Sequence, residues 1–139
     1  MVLAGGESRR MAVPKAFIRL GGMTVIEREL RVLSAVFDEV LIVANDPGPF
    51  LETGVRIVPD VEQFRIIKGP MTGVYSGLSA ARHACSFVVG CDMPFIKPEL
   101  TVFLAGLSPG HDIVIPRVGL YAEAVLHHDD HAVGFDRRR

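Results

Sequence analysis

The chain has 139 residues, 49% of them apolar, and a formal net charge of −1. A single domain of that size buries about two-thirds of the surface its unfolded form would expose, and a near-neutral chain with no basic run before Arg137-Arg138-Arg139 carries no nucleic-acid footprint. Its apolar runs, Phe87-Val88-Val89 among them, are too short to cross a bilayer, and no basic stretch leads an apolar one at the N-terminus, so the sequence reads as soluble, unexported and cytoplasmic.

Short apolar runs alternate with helix-like segments along the chain, the pattern of a parallel sheet covered by helices. Met1 to Leu3 reads as the first strand, followed by Ala4-Gly5-Gly6 and by the cations Arg9, Arg10, Lys15 and Arg19. Thr24-Val25-Ile26-Glu27 has the form of a capping box, so a helix is expected after it. Ile26, Leu30, Leu33 and Phe37 recur on one face of that helix, while Glu27, Arg28, Arg31 and Glu39 fall elsewhere and are expected to stay in solvent. Strands are expected at Val40 to Ala44, ending on Asn45-Asp46, and at Arg56 to Val58, ending on Pro59-Asp60.

Gly69-Pro70-Met71-Thr72-Gly73 offers a rigid turn before a second helix, read from Gly73 to about His83 with Val74, Gly77, Leu78 and Ala81 on its packed side. Phe87 to Cys91 reads as a buried strand ending on Asp92, Pro98 to Leu104 as a third helix opened by proline, and Ile113 to Ile115 as a fifth strand ending on Pro116-Arg117. Cys85 and Cys91 are spaced for neither a CxxC pair nor a zinc site, and buried free thiols are expected. The segment after Leu126 has no apolar period, and nothing in it supports metal binding by His127, His128 and His131.

In an open parallel sheet the strand ends lie along one edge, outside the carboxyl ends of the strands, where such folds bind ligands. Five polar strand ends therefore converge on one cleft. Glycines after the first strand let a ligand approach the backbone, whose N–H groups can meet phosphate oxygens, and Lys15 adds charge. Neither the P-loop nor the dinucleotide fingerprint is present. Alone, Gly5-Gly6 reads sooner as an ordinary turn, and Asp92 equally as a cap for the turn after it; Lys15 and the other polar strand ends reverse the first of these. Beside a phosphate-binding loop, Asp92 could hold magnesium with substrate phosphates.

The set Leu3-Ala4-Gly5-Gly6, Ser8, Arg10-Met11, Lys15, Gly69-Pro70, Gly73 and Cys91-Asp92-Met93-Pro94-Phe95 resembles the molybdenum cofactor guanylyltransferases, also called molybdopterin-guanine dinucleotide biosynthesis protein A. The resemblance implies a three-layer α/β/α Rossmann-like nucleotidyltransferase fold with a mostly parallel sheet. It also implies Mg²⁺-dependent transfer of GMP from GTP to molybdopterin with release of pyrophosphate. By matching position, Leu3, Ala4, Gly5, Asn45 and Asp60 would contact the nucleotide, Lys15 would neutralise its phosphates, and Asp92 would bind both nucleotide and metal. Lys15 and Asp92 would be the catalytic pair.

Ala12 stands where this family usually has glycine, and Pro14 where a polar residue usually precedes the lysine. The resemblance runs from residue 2 to about residue 119, so a nucleotidyltransferase domain is expected over 1–119, with its C-terminal part incomplete and a divergent, disordered tail over 120–139. An unpaired sheet edge could engage a second copy, and a molybdoenzyme-maturation partner is a further association the family admits. The same loop, lysine and aspartate would also serve a cytidylyltransferase for this cofactor, a sugar-phosphate nucleotidyltransferase, or a non-catalytic homologue that only binds nucleotide or a partner.

Overall fold

The computed structural model describes residues 1–5, 14–64, 69–118 and 121–122, with the backbone alone at 117–118 and 121–122. Gly6, Ser8, Arg9, Arg10, Met11, Ala12 and the tail apart from Tyr121 and Ala122, with His127, His128 and His131, lie outside the described residues.

Four parallel strands form the central sheet among the described residues: β1 (Val2–Leu3), β4 (Leu41–Val43), β5 (Arg56–Val58) and β6 (Val89–Gly90), in the order β5-β4-β1-β6. Val2 lies opposite Ile42 on one side and Val89 on the other. These residues point to one face and pack with Ile26, Leu30, Leu33 and Ile96. Alternate residues point to the opposite face, where Met1, Leu41 and Val43 pack with Leu3, Val58 and Ala81. A strand's period of two thus divides the core between two faces, each covered by helix.

One cover is α1 (Val25–Val36), with α3 (Pro98–Gly106) against it; the other is α2 (Pro70–Ala80), which lies over β1, β4 and β5. The result is the expected three-layer α/β/α arrangement. Helix α1 starts where its sequence directs: Thr24 Oγ1 accepts from the Glu27 N–H at 3.3 Å, and Glu27 Oε2 accepts from the Thr24 N–H at 2.6 Å. Ahead of it, β2 (Arg19–Leu20) and β3 (Met23–Thr24) form a hairpin closed by Gly21 and Gly22 at φ 57° and 91°, a geometry that excludes most side chains. No helix among the described residues is long and apolar enough to cross a membrane.

Several expectations are corrected. The strand read from Phe87 to Cys91 shortens to β6, since it can be no longer than the stretch of β1 it pairs with. Ile113 to Ile115 forms no strand: β-branched composition supplies no ladder partner, and Ile113 is exposed. Pairing resumes instead in a small antiparallel ribbon of β7 (Arg117–Val118) and β8 (Tyr121–Ala122).

Helix α2 begins three residues earlier than read, because Pro70 has the φ of a first helical turn and lacks the N–H such a turn leaves unpaired. Its buried residues are Thr72, Ser76 and Gly77, while Leu78 is 48% exposed, so small side chains rather than large ones set its contact with the sheet. Arg28 is half-buried, donating twice to the Leu20 carbonyl. Glu39 is half-buried too, with its carboxylate 3.4 Å from Arg56 Nη1 and accepting from the Arg82 N–H at 2.8 Å. That N–H bond, with the arginine charges, holds its carboxyl below the usual range. Both cysteines are free, but Cys85 is exposed.

Candidate active site

The chain order reverses at β1. Its neighbour β4 is reached through α1 on one face, whereas β6 is reached through α2 on the other. Covering helices diverge at such a point and leave a crevice outside the carboxyl ends of the strands. Four of the five polar strand ends expected there lie along this edge, after β5, β4, β1 and β6; Pro116-Arg117 does not, since no strand of this sheet precedes it.

On the β4–β5 side, Asn45 and Asp60 bond reciprocally. Asn45 Nδ2 donates to Asp60 Oδ2 at 2.7 Å, and the Asp60 N–H donates to Asn45 Oδ1 at 3.0 Å. Next to Asp60, the Val61 N–H donates to Ser76 Oγ at 2.9 Å, and that hydroxyl donates to the Thr72 carbonyl at 2.7 Å. The loop is therefore tied to α2. Gly73, one turn before Ser76, faces this corner: a Cβ there would lie 3.4 Å from Leu3 Cδ2 and 3.9 Å from Asp60 Oδ1. Gly69 opens the helix at φ 154°, a conformation that L side chains rarely adopt.

At the end of β1, the Ala4 N–H donates to the Val43 carbonyl of β4 at 2.8 Å, and on the β6 side the Cys91 N–H donates to the Leu3 carbonyl at 3.1 Å. Gly5 follows Ala4, exposed, with no atom of the described residues within 4 Å of where a side chain would stand. Lys15 rides on a short 3₁₀ turn, Lys15–Phe17, anchored by buried Ala16 and by Phe17 against Phe50. Its ammonium lies 3.4 Å from Asp92 Oδ2, with the two side chains 51% and 37% exposed. Arg19, by contrast, donates to the Gly22 carbonyl of its own hairpin. Thus Leu3, Ala4 and Gly5 form the middle of the edge, and the two polar pairs occupy its flanks.

Glu29 was not singled out by the sequence reading. This carboxyl is fully buried under the Asp92 turn, and one of its oxygens accepts from the Met93 N–H. Burial pushes it up to about 8 against the opposing Met93 bond, with the Asp92 charge adding to the rise. Its signal was the helical period: Glu29 lies three residues after Ile26 and four before Leu33, on the packed face. Beside it, burial pushes the Cys91 thiol up to about 12. A cavity of about 260 Å³ opens at the opposite edge, near Met1, Leu33, Phe37 and Phe87, away from these residues.

Sheet order and the crevice at its reversal define a Rossmann-like fold, one the chain shares with a solved structure described as a nucleotidyl transferase from Methanothermobacter, at a TM-score of 0.64 and 26% identity over 76% of this chain and 55% of that one. A family model described as a MobA-like NTP transferase domain matches residues 1–134, and the chain belongs to that family. It is 40% identical over 126 residues to a protein of Pelotomaculum thermopropionicum named "Probable molybdenum cofactor guanylyltransferase", covering 91% of this chain and 60% of that one. It is 36% identical over 118 residues to the "Molybdenum cofactor guanylyltransferase" of Desulfosudis oleivorans, covering 84% and 57%. Among solved structures it resembles molybdopterin-guanine dinucleotide biosynthesis protein A from Archaeoglobus fulgidus, with a TM-score of 0.67, 30% identity, and 90% and 63% of the two chains covered. The chain thus spans about three-fifths of the length of these relatives.

Proposed function

We propose that the carboxyl edge of the sheet binds a nucleoside triphosphate, and that in the whole protein it serves transfer of GMP from GTP to the terminal phosphate of molybdopterin, in the cytoplasm. The observation that carries this reading is the meeting of Lys15 and Asp92 at 3.4 Å just past the paired ends of β1 and β6. The names of the relatives from D. oleivorans and A. fulgidus support guanine as the base and molybdopterin as the acceptor.

An ion pair this loose and this exposed contributes little by itself, at most about 1 kcal/mol. Lys15 can therefore exchange the carboxylate for phosphate oxygens at small cost. Its charge would then sit where negative charge develops during transfer. The Asn45–Asp60 pair would hold the nucleotide farther along the edge, with the backbone of Leu3, Ala4 and Gly5 between.

The residues present also fit Mg²⁺ of the kind that arrives with its substrate. A hard cation bound through one or two carboxylates, phosphates and water needs no all-protein cage, and among the described residues no group of three or more His, Cys, Asp or Glu forms one. Asp92 would hold it. When bound, such an ion offsets charge on the phosphate oxygens. The acceptor phosphate is already anionic, so no side chain need act as a covalent nucleophile; the chain's task is to align acceptor and α-phosphorus for in-line attack.

Titration of the protein with GTP, CTP and ATP in Mg²⁺ buffer tests the reading. GTP is expected to bind best, and Lys15→Ala and Asp92→Ala are each expected to weaken it by about tenfold or more, the worth of one charge-assisted contact. A preference for CTP would sink the guanylyl assignment, and nucleotide binding indifferent to both substitutions would sink the site.

A further inference from the structure

We infer that Glu29 is a positioning residue, whose buried carboxyl oxygen fixes the backbone of the Cys91-Asp92-Met93 turn and thereby sets where the Asp92 carboxylate stands. This inference rests on the proposed reading of Asp92 as the metal-holding group. The turn has three anchors. The Cys91 N–H donates to the Leu3 carbonyl at 3.1 Å, the Ile96 N–H donates to the Met93 carbonyl at 3.4 Å, and between them the Met93 N–H donates to Glu29 Oε1.

Two of these anchors are backbone bonds; the third is a side chain from α1. It acts one residue beyond Asp92, where neither the β1–β6 ladder nor α3 reaches. Glu29 is 0% exposed, and its other oxygen, Oε2, has no hydrogen-bond partner among the described residues. A buried polar oxygen without a partner carries a desolvation cost. An apolar residue among Ile26, Leu30 and Leu33 would avoid that cost, so the helix gains nothing in packing from a carboxyl here. What Glu29 supplies is an acceptor for an N–H that would otherwise be left without one beneath the catalytic edge. Outer partners of this kind orient the groups that touch a metal, and losing one typically costs 10- to 100-fold in metal affinity.

Three substitutions separate this role from simple packing. Glu29→Gln keeps shape and acceptor, Glu29→Leu keeps most of the volume without the acceptor, and Glu29→Asp keeps the carboxyl but withdraws it by one methylene. The readouts are hydrogen exchange of the Met93 amide, Mn²⁺ binding in the presence of saturating GTP by electron paramagnetic resonance, and GTP binding in metal-free buffer.

Glu29→Leu is expected to speed Met93 exchange and to weaken Mn²⁺ by about tenfold or more, leaving metal-free GTP binding within about twofold, with Glu29→Gln close to the parent. If Glu29→Leu does not fold, Glu29→Asp is read against the same expectations. The inference is overturned if the acceptor-less variant leaves Met93 exchange unchanged, if it weakens metal-free GTP binding as much as Mn²⁺ binding, or if Glu29→Gln is equally impaired. Should the parent bind neither GTP nor Mn²⁺, the proposed function fails, and Met93 exchange alone decides: rescue by Glu29→Gln retains the positioning role, and its absence removes it.

Discussion

Cys85 and Cys91 have five residues between them in sequence and differ sharply in chemistry. Cys85 is exposed, whereas the Cys91 thiol is half-buried and pushed up to about 12 by burial, with the Glu29 and Asp92 carboxyls adding to the rise. Since the thiolate is the reacting species, iodoacetamide at pH 8 is expected to label Cys85 and spare Cys91 in the folded protein. Peptide mass mapping checks this, and equal labelling of both would contradict the burial described. The strand-end positions of Asn45, Asp60 and Asp92 were legible one by one, because a polar group directly behind a short apolar run falls on the carboxyl edge of a parallel sheet. Glu29 was not, since Glu-Arg-Glu within an amphipathic helix has the look of a solvated face, and only its register with Ile26 and Leu33 gives it away.

At the level of elements, the packed side expected for α2 holds through its small residues: Gly77 is buried and Ala81 packs against Met1, Leu41 and Val43, whereas Leu78, expected beside them, is exposed. A Cβ on Gly77 would come 2.9 Å from Val43 Cγ2 and would also run into Met1 Sδ. Gly77→Ala gains about 1 kcal/mol in helix propensity, but crowding a packed layer costs typically 1–3 kcal/mol, and Val43 lies in a strand paired on both sides. A net loss of stability is therefore expected from denaturant unfolding, and a gain would mean that the interface is slack. Helix α1 was read correctly through local chemistry, its capping box. The strand expected at Ile113 to Ile115 failed because pairing is a property of two segments and only one was in view.

For the whole molecule, the sheet has four strands among the described residues, and β4 and β1 lie between the other two. Val2 and Ile42 are completely buried and Val43 nearly so, whereas the β7–β8 ribbon is a separate two-stranded piece. Exchange of backbone amides in D₂O should accordingly be slowest at Ile42, Val43 and Ala44 and fast at Arg117 and Val118. Comparable protection in the two places would mean that the ribbon belongs to the main cooperative unit. Fold class and layer arrangement were readable from the alternation of elements. The lengths of the strands were not, since each is limited by the neighbour it pairs with.

The two flanks of the edge also differ in kind. Asn45 and Asp60 grip each other through two short bonds, one of them to backbone, while Lys15 and Asp92 meet loosely in half-solvated surroundings. One flank is a rigid template and the other an exchangeable electrostatic contact, so ionic strength should act on them unequally. Raising salt from about 0.01 M to 1 M shortens the screening length from about 30 Å to 3 Å. On the proposed reading, that change should lower affinity for every triphosphate while leaving the ratio between GTP and CTP nearly constant. Parallel titrations at both salt levels would register it, and a collapsing ratio would mean that base choice is made by charge rather than by shape.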